Sequence, residues 1–98
     1  MWITPEDGRR YQALTHAIEA SLNAKGGRAS GDVVEVEDLA AFLEWMSLAR
    51  EVAPSLQPFV ERSSPGALQN FSYSQMMRYF RYLRFQVTVA GEAAPSEV

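Results

Sequence analysis

Three stretches of the chain carry apolar residues at spacings of three and four, the pattern of an amphipathic helix that buries one side. The first stretch begins at Thr4 and Pro5, which favour a helix start, and it ends before the glycine pair at 26–27. We therefore predict a first helix over about residues 5–24. Its apolar stripe is formed by Tyr11, Leu14, Ile18 and Leu22.

The second stretch, over about residues 36–53, is apolar around most of its circumference, which predicts a helix at the centre of the fold. Its polar line is acidic and consists of Glu37, Glu44 and Glu51. Trp45 lies off the main apolar side, so its burial requires either a further helix on that side or a partner chain. We therefore take Trp45 as a candidate partner-binding residue.

The third stretch follows residues 54–71, a segment with three prolines whose apolar residues predict only short helical turns. A helix then begins near Ser72 or Ser74, because Ser72 and Gln75 have the spacing of a capping box. This helix is predicted to run to about Val87. Its inward side is predicted to consist of Met76, Phe80, Leu83 and Val87.

Together these elements predict an all-α fold, a small three- to four-helix bundle. The chain has 98 residues, which is enough for one small domain and too few for two. Hydrophobic residues make up 47% and charged residues 21%, a balance that favours a folded chain over a disordered one. We predict a single helical domain over residues 1–90 and a flexible C-terminal tail over residues 91–98, which are mostly small and polar.

The residue types that usually carry catalysis or cofactors are scarce. The chain contains no cysteine, which excludes disulfides, thiol nucleophiles and cysteine-based metal sites. His16 is the only histidine, and it lies off the apolar stripe of the first helix without a group to orient it. We therefore expect His16 to be exposed, and we expect no enzyme activity, no metal, no cofactor and no small-molecule substrate.

The expected location follows from two features of the sequence. No apolar stretch approaches the roughly 18 residues that a membrane-spanning helix requires. The chain also starts without the basic region and apolar core of a secretory signal. We therefore expect a cytoplasmic protein with no membrane contact, encoded by a bacterium, a phage or another mobile element.

The last predicted helix carries arginines on the side that the bundle does not need. Arg78, Arg81 and Arg84 spread over about 120° of the helix circumference. Tyr82 and Phe85 lie on the same half, and no acidic residue occurs between positions 63 and 90. We call these five residues the basic–aromatic face. Arginine and aromatic side chains are frequent anchors of protein interfaces, so this face is the predicted binding surface.

Three interpretations of the basic–aromatic face remain open at this point. In the first, its arginines pair within the fold with the acidic second helix, since residues 32–51 have a net charge of −5. In the second, the face binds another protein or a second copy of the chain in a homodimer. In the third, it binds nucleic-acid phosphates, which the formal net charge of −3 for the whole chain disfavours.

The function we expect is that of a small non-catalytic interaction protein, such as an adaptor, inhibitor or accessory subunit. Aromatic side chains would bury area against the partner, and the arginines would select an acidic patch on it. The alternative is a nucleic-acid-associated small subunit that uses the same arginines on phosphates. The two functions differ in salt dependence, because phosphate contacts weaken steeply as salt rises.

Overall fold

The fold is all-α, a small helical bundle, as the apolar spacing predicts. The computed structural model describes residues 4–25, 31–64 and 66–93. The α-helices of the described residues are α1 (Pro5–Lys25), α2 (Val36–Val52), α3 (Gln57–Arg62) and α4 (Tyr73–Ala93). Within these residues, a 3-10 turn, Pro54–Leu56, leads directly into α3.

Helix α1 starts at the predicted cap. Thr4 Oγ1 accepts a hydrogen bond from the backbone N–H of Asp7 at 3.1 Å, which satisfies a helix-start amide that has no partner within the helix. Three residues of the predicted stripe are buried, and the fourth, Tyr11, packs partly buried against the core. The buried residues are Leu14, Ile18 and Leu22.

Helix α2 packs against both α1 and α4, which confirms its predicted central position. The helix stops at Val52, one residue before the predicted end, because Ala53 precedes a proline and adopts a non-helical backbone with φ −123° and ψ 83°. Its buried residues lie around much of its circumference: Phe42, Trp45, Met46 and Ala49.

Trp45 is fully buried, with 0% of its surface exposed. Its indole Nε1–H donates a hydrogen bond to Thr15 Oγ1 at 2.9 Å, so its polar atom is also satisfied inside the fold. The ring lies between aromatic rings of the neighbouring helices, with centroids 5.4 Å from Tyr11 and 4.8 Å from Phe80. The prediction that Trp45 contributes to a partner contact is therefore wrong, because α1 and α4 cover this side of α2.

Helix α4 begins with the predicted capping box at Ser72. The Ser72 N–H donates to Gln75 Oε1 at 2.9 Å, and the Gln75 N–H donates to Ser72 Oγ at 3.2 Å. Helix α4 continues beyond the predicted end, through Ala93. The predicted inward side is buried as expected: Met76, Phe80, Leu83 and Val87.

The predicted tail is partly a helix. The backbone of α4 remains helical through residues 91–93, so the boundary placed at position 91 is wrong for these three residues. Helix propagation adds one hydrogen bond per residue once a helix has begun, and no proline interrupts the chain before Pro95. The rest of the predicted tail, residues 94–98, lies outside the described residues, as do residues 1–3.

The segments that precede α2 and α4 are joined by a short antiparallel bridge between Val33 and Ser72. The Val34 N–H donates to the Phe71 carbonyl at 2.8 Å, and the Tyr73 N–H donates to the Asp32 carbonyl at 3.1 Å. These two bonds pair loop backbone groups with one another and with the Tyr73 N–H, a helix-start amide that has no partner within α4. The bridge therefore holds the starts of α2 and α4 side by side.

A polar network reinforces this junction. Asp38 Oδ2 accepts hydrogen bonds from the Tyr73 hydroxyl at 2.6 Å and from Lys25 Nζ at 2.9 Å. Ser21 donates to the other carboxylate oxygen of Asp38 at 2.8 Å. Burial alone would raise the pKa of Asp38, but these three donors together hold the pKa below its ordinary value. The network thus ties α1 and the starts of α2 and α4 together.

Candidate interaction surface

The outward side of α4 carries large apolar side chains that the bundle does not cover. Tyr82 is 49% exposed and Phe85 is 63% exposed. Val89, one turn further along the same side, is 41% exposed. The prediction that Tyr82 and Phe85 lie away from the core is confirmed. Their role as partner-binding residues stays a prediction.

The arginines of the basic–aromatic face divide into two groups. Arg78 and Arg81 are exposed, and neither forms an ion pair with any described residue. Arg84 instead pairs with Glu19 of α1, and its guanidinium lies 6.0 Å from the centre of the Phe80 ring. Two of the three predicted arginines are therefore available to a partner, and the third holds α1 and α4 together.

The acidic residues of α2 do not pair with the arginines of α4. Arg10 of α1 forms a bidentate pair with Glu44, with nitrogen–oxygen distances of 2.6 and 2.8 Å. These hydrogen bonds lower the pKa of the Glu44 carboxyl. Among the described residues no ion pair joins α2 to α4, so the first interpretation, in which the arginines pair with the acidic second helix, is wrong.

The predicted acidic face of α2 is not a continuous free surface. Glu37 is exposed, and Glu44 is paired with Arg10. Glu51 is half-buried, and its Oε2 atom has no hydrogen-bond partner among the described residues. Burial, together with the nearby carboxylate of Asp7, raises the pKa of Glu51. The three carboxylates therefore differ in environment, and only Glu37 offers an exposed carboxylate without an ion pair in the described structure.

Helix α3 lies beside the basic–aromatic face, a neighbour that the sequence did not predict. The Phe59 ring of α3 lies 5.8 Å from the Tyr82 ring of α4, and the Arg62 guanidinium lies 5.3 Å from the Phe59 ring. A cavity of about 410 Å³ opens beside these residues. We call it the α3–α4 cleft, and its lining consists of Phe59, Arg62, Ser63, Ala67, Leu68 and Tyr79.

The sequence contains only a partial signal for this cleft. Phe59 and Arg62 are three residues apart in a segment predicted to form short helical turns, so the sequence predicts that both side chains lie on the same side of such a turn. What the spacing does not show is where the six-residue helix α3 packs. That position depends on the contact between Phe59 and Tyr82, residues far apart in the sequence.

His16 is exposed, as predicted, and it borders a surface cavity of about 420 Å³ between α1 and α4. None of the residues that line this cavity carries a carboxylate. Glu19, which lies three residues from His16 on α1, is bound to Arg84. The described part of the chain also holds no cluster of three or more acidic or histidine side chains placed to bind a metal ion.

No protein-family model, no curated protein and no solved structure matches this chain. Within the described residues, none of the helices combines the length and the apolar character needed to cross a bilayer.

Proposed function

We propose that this protein is a small non-catalytic interaction module that binds a partner protein through the basic–aromatic face of α4. The observation that carries the proposal is the exposure of Tyr82 and Phe85 on a helix whose opposite side already completes the core. An exposed phenylalanine contributes nothing to the core, whereas its full burial in an interface stabilises a complex by about 1.5–3 kcal/mol. Arg78 and Arg81 supply charge selectivity beside these aromatic anchors.

The features of α4 favour a protein partner over nucleic acid. Within the described residues, Arg78 and Arg81 are the arginines of the face that form no ion pair, and the chain has a formal net charge of −3. Nucleic-acid binding depends on many phosphate contacts and is weakened by repulsion from acidic surfaces. Two large apolar side chains flanked by arginines are instead the composition of an interface core.

A comparative capture experiment tests the proposal. The full chain is immobilised as wild type, as Phe85→Ser and as Arg81→Glu, and each is incubated with a lysate of the source organism. Val36→Ser is the matched control for Phe85→Ser, because Val36 is an apolar side chain that is 83% exposed on α2. Arg9→Glu is the control for Arg81→Glu, because Arg9 is an exposed arginine on α1.

We expect wild type and both controls to retain the same partner protein and both α4 variants to lose it. Retention of identical proteins by all five baits would contradict the proposal. A gel shift with a single-stranded oligonucleotide at low salt tests the alternative function. If Arg81→Glu abolishes a shift seen with wild type, and the wild-type shift disappears as salt rises, the result would favour nucleic acid over protein as the partner.

A further inference from the structure

A concave site adjoins the basic–aromatic face. The α3–α4 cleft has a volume of about 410 Å³, and it shares Ala67, Leu68 and Tyr79 with a second depression of about 370 Å³. Pockets that hold ligand groups usually have volumes of about 300–1,000 Å³. Because the Phe59 ring contacts Tyr82, the cleft and the basic–aromatic face form one continuous surface.

The lining of the cleft combines apolar side chains with polar groups, and Arg62 supplies a cation. Phe59 and Leu68 are partly buried hydrophobic residues that pack on the core, and Tyr79 is 47% exposed. Arg62 forms no ion pair with any described residue, and none of the lining residues is acidic. An apolar group with a carboxylate beside it therefore complements this site.

Several of the chain's own carboxylates are already engaged in ion pairs within the fold. Glu44 already pairs with Arg10, and Lys25 already pairs with both Glu35 and Asp38. A symmetric contact between two α4 helices would also bring the unpaired arginines of both copies together, which is repulsive. An acidic partner helix can pair with the arginines that have no ion pair with a described residue, without displacing an existing ion pair.

The outward side of α4 also indicates the shape of the partner. Arg78, Tyr82, Phe85 and Val89 follow one another at spacings of four, three and four. This is the spacing at which one helix packs against another along a continuous seam. The line is about 16 Å long at 1.5 Å per residue, so it accommodates about three turns of a partner helix.

We propose that the α3–α4 cleft is the anchoring site for this partner, and that the partner presents an acidic amphipathic helix. An apolar side chain of that helix enters the cleft between Phe59 and Tyr79, while its carboxylates pair with Arg62 and Arg78. The partner helix lies along the outward line of α4. This inference rests on the proposed function and specifies the chemistry of the partner.

Two synthetic peptides of about 21 residues, long enough to form a helix in water, serve as probes. Both carry leucine at the apolar heptad positions, and they differ only in having glutamate or lysine at the flanking positions. Each is titrated into the isotope-labelled full chain while backbone amide signals are followed by NMR. We expect the glutamate peptide to shift the amide signals of Phe59, Leu68 and Tyr79 and to bind at least about tenfold more tightly than the lysine peptide.

Two substitutions test the cleft itself. Ala67→Trp fills the cleft from an exposed position and is expected to weaken binding of the glutamate peptide about tenfold, whereas Ala40→Trp, at an exposed position on α2, leaves it unchanged. Arg62→Glu is expected to reduce the preference for the glutamate peptide, because only Arg78 of the two proposed cations then remains, and Arg9→Glu is expected to preserve it. Should Ala67→Trp fail to fold, the charge reversal at Arg62 decides the question.

The inference is overturned by equal affinity for the two peptides, by unchanged binding to Ala67→Trp, or by the absence of amide shifts at millimolar peptide. A dimer of the wild-type chain that Ala67→Trp dissociates would make a second copy the occupant and overturn it as well. Failure of the anchoring site is distinguishable from failure of the proposed function. If Ala67→Trp still captures the cellular partner that Phe85→Ser loses, the face binds that partner without the cleft.

Discussion

Phe80 and Phe85 are the same residue type on one helix, and they have opposite environments. Phe80 is 2% exposed and packs against the Trp45 ring at 4.8 Å, whereas Phe85 is 63% exposed on the outward side. The five-residue separation turns one side chain into the core and the other into solvent. We therefore expect stability to depend on Phe80 and the proposed binding to depend on Phe85.

We expect Phe80→Ala to lower the free energy of unfolding by about 3–5 kcal/mol, because it leaves a cavity beside Trp45. Phe85→Ala is expected to change it by less than about 0.5 kcal/mol, because the side chain has few neighbours to lose. Urea unfolding followed by tryptophan fluorescence measures both values. A loss of more than about 1 kcal/mol in Phe85→Ala would show that this ring stabilises the isolated chain.

Thr15 and Trp45 form a buried pair with a specific polar contact. Thr15 Oγ1 accepts from the Trp45 indole at 2.9 Å and donates to the Tyr11 carbonyl at 2.8 Å. Thr15→Val keeps the shape of the side chain but leaves the buried indole N–H without a partner, so we expect a loss of about 1–3 kcal/mol.

Chemical denaturation of Thr15→Val is compared with that of Thr15→Ser, which keeps both hydrogen bonds and is expected to be the more stable variant. A double-mutant cycle with Trp45→Phe isolates the contact, and we expect a coupling energy of at least about 0.5 kcal/mol. Purely additive losses would mean that the indole hydrogen bond does not contribute to stability.

At the scale of the element, α4 combines a buried core side with a largely exposed outer side. Its inward residues contact α2, and its outward line ends in Val89, which is 41% exposed. The position of both sides depends on where the helix starts and how it is held at that end. The capping box at Ser72 and the bridge from Val33 to Ser72 hold that end.

The sequence leaves two possible starts for this helix, and a pair of substitutions distinguishes them. Ser72→Ala removes the cap to the Gln75 N–H, and we expect a loss of about 0.5–2 kcal/mol in the free energy of unfolding. Ser74→Ala is the matched control and is expected to change stability by less than about 0.5 kcal/mol. Thermal unfolding followed by circular dichroism compares them. Equal losses in both variants would argue against a specific cap at Ser72.

At the scale of the whole molecule, α1, α2 and α4 are joined by side chains from distant parts of the sequence. Asp38 binds Lys25 and Tyr73, and Arg84 binds Glu19. Exposed ion pairs contribute little to stability, but the Asp38 carboxylate is only 13% exposed and accepts three hydrogen bonds. We therefore expect this network to be the polar contact that matters most for the fold.

The Asp38 network makes stability depend on pH. Because its hydrogen bonds hold the pKa of Asp38 below the ordinary value, the folded state prefers the carboxylate. This contribution is fully present above the ordinary aspartate pKa of about 3.9 and is lost as the pH falls through the lowered value. We expect Asp38→Asn to be about 1–3 kcal/mol less stable than wild type at pH 7.

The difference between wild type and Asp38→Asn is expected to shrink at pH values well below the ordinary aspartate pKa, where wild type loses its carboxylate. Urea unfolding at neutral and strongly acidic pH measures the change. Asp32→Asn, at an exposed position without an ion pair, is the control for removing an acidic residue. An equal difference at both pH values would contradict a role for the ionised network.

Much of the fold is determined by the sequence alone, because its signals are local. The caps at Thr4 and Ser72 and the apolar spacing of three and four define where α1 and α4 start and which sides they bury. The same spacing places Phe80 inward and Phe85 outward, so the exposed aromatic residues of α4 are predictable from one helix considered by itself.

Only the tertiary structure decided which residues meet across different helices. The burial of Trp45, the pairing of Arg84 with Glu19 and the contact of Phe59 with Tyr82 all depend on how the helices are arranged around α2. Helical periodicity specifies the direction of a side chain relative to its own axis, but it contains no information about which neighbour lies in that direction. For that reason the exposed aromatic residues are readable from the sequence, whereas the cleft beside them is formed by tertiary packing.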